Sequence, residues 1–243
     1  MSRWIPLESN PKLFNDWAHK VGLLESDAEF VDIYGLDDEL LDLVPKPVKA
    51  IILLFPIRGK LEELRQAEET DIKEKGQVPI DPTVFWIKQT ISNACGTIGL
   101  LHALTNAQVA FGPQSSIAQL IDKCQDKTPL ERAKFLESTE LFADIHAAAA
   151  AGGQTSVPTD LDTDLHFTCF VQAPEASARE AEIATTRRRL IELDGGRAGP
   201  VDRGESTDLL KDVAKYVREQ IIPKAPGPEL SMIALAGGKW VDE

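Results

Sequence analysis

Residues 48–57, VKAIILLFPI, are apolar with a single charged residue near the start. A strand with one wetted face alternates apolar and polar residues, whereas a continuous run of this kind belongs to a strand covered on both faces. A chain that contains such a strand must place another layer on each side of it. That requirement points away from a helical bundle and towards a sheet between layers.

Other segments can supply those layers. Asn10-Pro11 reads as the cap and first residue of a helix whose apolar stripe is Leu13, Phe14, Trp17 and Val21 and whose stop is Gly22. GKLEELRQAEETDIKEKG, residues 59–76, reads as a charged, exposed helix or helical loop, and VFWIK, 84–88, as a short strand. After Asn93, residues Ile98, Leu101, Leu104 and Val109 recur at helical spacing; Thr128-Pro129 opens another helix, and 139–151 stays helical up to Gly152-Gly153. Residues 152–164, GGQTSVPTDLDTD, form a polar loop.

LHFTCFV at 165–171 and RLIELD at 189–194 read as strands, with PEASAREAEIATTRRR between them as a long hairpin or a short helix. STDLLKDVAKYVREQII, 206–222, is an amphipathic helix, and LSMIALA, 230–236, a final strand. The expected fold is α/β (α+β), with a mostly antiparallel central sheet. A chain of 243 residues, 43% of them hydrophobic, has enough apolar material for a substantial core. No linker-like stretch or fixed repeat divides it, so residues 1–243 are expected to form a single domain.

The net charge of −13 disfavours nucleic acid and anionic membranes and suits a basic partner. Three widely spaced cysteines, Cys95, Cys124 and Cys169, make neither a disulfide framework nor a structural zinc site. MSRWIPLESNPKLF carries no long apolar stretch, and no segment approaches the roughly 18 apolar residues of a membrane span. The cytoplasm is the expected compartment, with a nuclear share left open.

QTISNACGTIGLLHAL, 89–104, sets Cys95 where a polar loop gives way to an apolar helix. A helix N-terminus favours thiolate, yet the same position suits an inert core thiol. A nucleophilic thiolate needs a base and a group to orient that base. His19, His102 and His146 fall within predicted helices and read as surface or structural histidines, whereas His166 opens a strand straight after the polar loop. Leu165, Phe167, Cys169 and Val171 alternate onto one face of that strand and His166 onto the other, while Leu190, Glu192 and Asp194 share one side of the next. Antiparallel pairing would let His166 meet Asp194 as in a Cys-His-Asp triad; the alternative is an edge histidine and a turn aspartate. Gln89, six residues before Cys95, is either an oxyanion donor or a solvated loop glutamine.

FWIKQTISNACGTIGLLHAL resembles the active-site segment of the ubiquitin C-terminal hydrolase family, small papain-like deubiquitinating thiol proteases. WIPLESNP, FVDIYGLDDELLDLVPKPVKAIILLFPI, GQTSVPTDLDTDLHF and LIELDGGRAGPVDRGES are similar to the family in the same order, so the resemblance spans nearly the whole chain. It is closest to the short members. It implies a papain-like α-β-α fold with a knotted backbone. It also implies Cys95 as nucleophile, His166 as base and acid, Asp194 as the orienting carboxylate and Gln89 as oxyanion donor.

Ubiquitin, or a close ubiquitin-like modifier, is the implied partner. Its contacts would fall on Pro6, Leu7, Glu8, Ser9, Asn10 and Pro11, on Gly153, Gln154 and Thr155 within 150–157, and on Glu229, Leu230, Ser231 and Met232. Glu8, Asp160, Asp162 and Asp164, by their proximity to these stretches, are the candidate carboxylates for steering a basic ubiquitin tail. No metal or organic cofactor is needed, and nothing resembles an oligomerisation segment, so a monomer is expected.

In the family a loop crosses over the active site, a role that falls on Ala148–Asp164. Its 17 residues reach roughly 60 Å, so a ring made from them is at most ~20 Å across. A ubiquitin-sized domain is about 30 Å across. Small or disordered adducts are therefore the expected substrates, and compact ubiquitin chains poor ones. Two other readings stand beside this: a ubiquitin-binding module with little turnover, and an acidic interaction domain with an inert Cys95. The segment Gln172–Arg189 is longer than the family's usual tight hairpin, and the chain continues past the last strand as GGKWVDE, with Trp240.

Overall fold

A computed structural model of the chain describes residues 3–154, 161–177, 187–225, 227 and 229–237. Its strands are β1 (Glu29–Asp32), β2 (Val48–Pro56), β3 (Leu165–Pro174), β4 (Arg188–Leu193), β5 (Val201–Ser206) and β6 (Ser231–Ala236). They form one six-stranded sheet in the order β1-β6-β2-β3-β4-β5, and every neighbouring pair is antiparallel. The apolar run is β2, an interior strand between β6 and β3. Ile51 and Leu53 project into one buried cluster and Ile52 into the other, so both faces of the strand are covered.

Eight α-helices lie among the described residues: α1 (Pro11–Val21), α2 (Asp38–Leu41), α3 (Lys60–Lys75), α4 (Cys95–Asn106), α5 (Ser116–Cys124), α6 (Pro129–Glu137), α7 (Glu140–Ala151) and α8 (Leu209–Tyr216). Phe14 and Trp17 of α1, Ile98 and Leu101 of α4 and Phe142 of α7 pack with Phe167, Cys169 and Ile233 on one face of the sheet. Leu61 of α3 and Leu210 and Val213 of α8 pack with Phe55, Phe170 and Met232 on the other. The result is the helix–sheet–helix layering expected from the sequence. None of the helices among the described residues is long and apolar enough to cross a membrane.

Local signals account for the helix ends. The Asn10 side chain accepts from the Lys12 N–H, and Gly22, at φ 119°, turns its N–H back to the carbonyls of Ala18 and His19. Thr128 and Glu131 form a reciprocal capping box at the start of α6. The expected 206–222 helix begins later, with the Asp208 side chain accepting from the Lys211 N–H. It then widens into a π turn at Val217–Ile221 just before Pro223.

The sheet differs from the sequence reading in three respects. Residues 84–88 are not a strand; their backbone groups bond to side chains of neighbouring helices instead, as described below. β1 and β5 were not foreseen: β1 is only four residues long, and β5, VDRGES, has few strand formers. β5 is held partly by Arg189, whose guanidinium donates to both Asp202 oxygens at 2.9 and 2.6 Å. β3 and β4 extend their pairing out to Pro174 and Arg188, beyond the strand limits read from the sequence. The rest of the long connection, 178–186, and the tail with Trp240 lie outside the described residues.

Candidate active site

α4 starts at Cys95 because the chain is turned there by Asn93, a non-glycine residue with φ 63°. The Asn93 side-chain amide donates to the carbonyls of Trp4 and Leu161, both at 3.0 Å, so the turn also ties down the amino-terminal segment and the end of the polar loop. From Cys95 to Leu104 every residue of α4 is buried. Gly99 faces Ile52 and Phe167 of the sheet, where a Cβ would make ordinary contact at 3.8 Å from each. A helix so apolar all round can only be a core element, and it carries Cys95 to the end of β3.

The antiparallel register of β3 and β4, with Cys169 opposite Leu193 and Phe170 opposite Glu192, sets His166 and Asp194 on the same face at one end of the pair. His166 Nε2 donates to Asp194 Oδ1 at 2.7 Å. The same oxygen accepts the Gly196 N–H at 2.7 Å, and Oδ2 accepts from Arg65 of α3. Asp194 is wholly buried. Burial opposes its charge, but His166 and then Arg65 overcome that cost and hold the carboxyl far below its usual range.

The Cys95 thiol and His166 are coupled electrostatically. Burial works against ionisation, yet the hydrogen bond and charge of His166, with the backbone of Phe167, draw its pKa below the ordinary thiol value. His166 moves the other way: burial lowers it, and the stronger pull of Asp194 and then Cys95 raises it above the ordinary imidazole value. The pair is therefore biased towards thiolate and imidazolium. Cys124 and Cys169 are buried thiols whose pKa burial pushes up.

Residues 84–89 pass beside this cluster. The Phe85 N–H donates to Asn106 Oδ1 at 2.7 Å, and Asn106 Nδ2 returns a bond to the Phe85 carbonyl at 2.8 Å. The Ile87 N–H donates to His102 Nε2 at 2.9 Å, while His102 Nδ1 faces the Leu193 carbonyl at 3.2 Å. His102 is thus a neutral structural histidine that joins this segment to β4, and burial lowers its pKa to about 4. His146 is a second one, between Thr97 at 2.9 Å and the Ile5 carbonyl at 2.7 Å. Trp86 Nε1 donates to the Asp194 carbonyl at 3.1 Å.

The Gln89 N–H donates to the Gly195 carbonyl at 2.9 Å, and only glycine fits there: a Cβ on Gly195 would lie 2.8 Å from Ile98 and 2.9 Å from the Gln89 Cβ. The Gln89 side-chain amide donates to the Ile91 carbonyl at 3.1 Å, which leaves its second N–H for another acceptor.

The three stretches named for partner contact come together. Ser9 and Ser231 hydroxyls are 2.8 Å apart, and Glu8 accepts the Gln154 N–H at 2.9 Å while Gly153 packs beside it. Asn10 and Pro11 serve the α1 cap, and Pro6 is partly buried. Leu7 and Met232 are buried within the two clusters, Leu7 against Gly96 of α4, whereas Glu229 is exposed and Leu230 half-buried. Thr155 and Asp160 lie outside the described residues. Asp162 pairs with Arg3, and Arg58 bridges Asp164 and Glu229, at 2.7 Å each.

Sequence reading missed a group of buried and half-buried charges behind Asp194. Arg65 and Glu68 of α3, Glu192 of β4, Arg197, and Arg203 of β5 form it, and Arg203 Nε donates to Glu192 Oε2 at 2.7 Å. The one available signal was the spacing of Arg65 and Glu68, three apart on a helix that otherwise looks solvated.

Residues 4–222 match the family described as ubiquitin carboxyl-terminal hydrolase, family 1. The chain belongs to that family. Relatives within it include ubiquitin carboxyl-terminal hydrolase 3 of Arabidopsis thaliana, 41% identical over 239 residues that cover 96% of this chain and 94% of the relative. A probable ubiquitin carboxyl-terminal hydrolase of Dictyostelium discoideum is 40% identical, covering 90% and 82%. Ubiquitin carboxyl-terminal hydrolase isozyme L1 of Homo sapiens is 36% identical, covering 88% and 89%. The fold is similar to that of the Trichinella spiralis UCH37 catalytic domain, solved bound to ubiquitin vinyl methyl ester. That likeness has a TM-score of 0.70 at 22% identity and covers 97% of this chain and 96% of the other. Membership of the ubiquitin carboxyl-terminal hydrolases makes the chain a hydrolase of the cysteine peptidase class and its fold papain-like.

Proposed function

We propose that the chain acts as one catalytic unit that releases small or disordered adducts from the carboxyl-terminal glycine of ubiquitin, with Cys95, His166 and Asp194 as its triad. The observation that carries this reading is the 2.7 Å bond from His166 to a wholly buried Asp194, with His166 drawing down the pKa of the Cys95 thiol. The thiolate attacks the glycyl carbonyl carbon, and the negative charge passes to the carbonyl oxygen. The Cys95 N–H, which has no partner within α4 in its first turn, and the second Gln89 side-chain N–H stabilise that charge. The imidazolium gives its proton to the departing amine as the C–N bond breaks. Neutral His166 then takes a proton from water, which attacks the thioester. The glycine leaves as a carboxylate, and the thiolate–imidazolium pair is restored.

Ubiquitin as partner is supported by the family and by the neighbour solved with a ubiquitin ester. The contact surface proposed for it is the cluster in which Glu8, Ser9, Gln154 and Ser231 meet. Size selection is supported by the anchoring of the loop. Ala148–Ala151 belong to α7, Gln154 is bonded to Glu8 and Leu161 to Asn93, so the crossing span is shorter than the 17 residues read from the sequence.

The test is hydrolysis of a fluorogenic amide on the ubiquitin carboxyl terminus beside folded di-ubiquitin, with wild type, Cys95→Ala and His166→Ala. Turnover of the small amide, lost in both variants, with di-ubiquitin cleaved far more slowly, is expected. Ubiquitin binding without turnover would replace this reading with a binding module. Rapid cleavage of di-ubiquitin would remove the size argument, and faster release from a ubiquitin-like modifier would reassign the partner.

A further inference from the structure

We infer that Arg65 is a positioning residue for His166, acting through Asp194; the inference rests on the thiol-hydrolase reading above. One Asp194 oxygen takes the His166 and Gly196 donors, and among the described residues Arg65 is the hydrogen-bond partner of the other. A carboxylate held at both oxygens cannot swing about its terminal bond, so the imidazole it holds keeps one orientation and one tautomer. Arg65 comes from α3, an element separate from those that carry Cys95, His166 and Asp194.

Arg65 is held in turn by charge. Its Nη1 lies 3.7 Å from Glu192, and its guanidinium stands 5.8 Å from the centre of the Phe55 ring. Glu192, 2% exposed, is gripped by Arg203, and Arg203 and Arg197 both reach Glu68 of α3, Arg197 at 2.8 Å. His166, Asp194, Arg65, Glu192, Arg203 and Glu68 thus alternate in sign from the reacting pair back to the helix. A buried charge depends on its partners, so the loss of one disturbs the next. α3 buries a single apolar residue, Leu61, which leaves this row of charges as the main restraint on where Arg65 sits.

Arg65 also lines a cavity of about 880 Å³ between α3 and the α8 region, together with Arg197, Arg203 and Tyr216. Truncation of Arg65 therefore opens a space that a small soluble guanidinium can enter from that side, which provides a direct probe.

The experiment uses the full chain with Arg65→Ala, Arg65→Met and Arg65→Lys. On the ubiquitin amide, Ala and Met are expected to lower kcat about 10- to 100-fold through misplacement of the imidazole, with KM unchanged because Arg65 touches no substrate. Lys is expected to recover part of the loss, and millimolar methylguanidinium to restore part of the Ala rate without affecting wild type. The low-field proton of the His166–Asp194 hydrogen bond is expected to shift or vanish in Ala and Met. Alkylation of Cys95 by iodoacetamide is expected to lose its acid-side reactivity in the same variants. Both of these readouts survive even if wild type shows no turnover, which separates failure of this inference from failure of the functional reading. If Ala melts below the assay temperature, Met carries the test. Folded Ala or Met variants with wild-type kcat, alkylation profile and proton resonance would overturn the inference, as would a rise in KM alone.

Discussion

Helices α4 and α3 flank the same sheet on opposite faces and are fixed to it by opposite physics. Everything in α4 from Cys95 to Leu104 is buried, against one buried apolar residue in α3. α4 is positioned by apolar area and close packing, α3 by Arg65 and Glu68 reaching into a buried set of charges. Apolar burial is undirected but strong, whereas buried ion pairs contribute little net stability and are strongly directional. On the proposed reading, the first places the nucleophile and the second aims its orienting carboxylate.

Four experiments sharpen or break that contrast. The largest effect is expected at the end of the sheet where both helices reach the site. Asp194→Asn should reduce kcat on the ubiquitin amide roughly 10³- to 10⁴-fold by leaving His166 in the wrong tautomer, with little loss of ubiquitin affinity in a binding titration. Next, urea titration of Leu101→Ala in α4 should show a loss of about 2–5 kcal/mol, while Leu64→Ala in α3, 40% exposed, should stay within ~0.5 kcal/mol. Equal costs would dissolve the contrast.

The third concerns acid. His102 and His146 are held neutral by burial, both lowered to about 4, against an unfolded value near 6.5. Between those values the unfolded chain binds more protons, so stability should fall as pH drops through this window. A Tm series across it should fall less steeply in His102→Gln. The smallest effect belongs to the outer face of α3: Lys75, paired with Asp71 at 2.8 Å but 70% exposed, should cost at most ~0.5 kcal/mol as Lys75→Ala. A charge pair on the same helix is thus expected to matter only where it points inward.

The same contrast explains what the sequence disclosed. β2, α1, α4 and the β3 alternation that separates His166 from Phe167 were legible because apolar periodicity records apolar packing. The meeting of His166 with Asp194 was one of two alternatives that this alternation left open, and the antiparallel register of β3 and β4 brings the two together. Residues 84–88 misled for a physical reason. Val84, Phe85, Trp86 and Ile87 look like a strand, but Asn106 and His102 satisfy their backbone in place of a neighbouring strand. The α3 charges left only the spacing of Arg65 and Glu68 as a signal, because a buried arginine and a solvated one are the same letter. The partners that bury Arg65, namely Glu192, Asp194 and Phe55, lie far from it in the chain or outside any helical pattern. β5 was missed likewise, since its pairing is supported by an Arg189–Asp202 bridge that no periodicity encodes.

The central claim is that Cys95 works as a thiolate held by an imidazolium that Asp194 stabilises. Its most direct test is the pH dependence of kcat/KM on a fluorogenic ubiquitin carboxyl-terminal amide. The lowered thiol and raised imidazole predict a broad plateau. Its acid limb should fall below the ordinary thiol value of about 8.5 and its alkaline limb above the ordinary imidazole value of about 6.5, with no activity in Cys95→Ala. A rate that climbs only through the ordinary thiol ionisation, or that survives in Cys95→Ala, would contradict it.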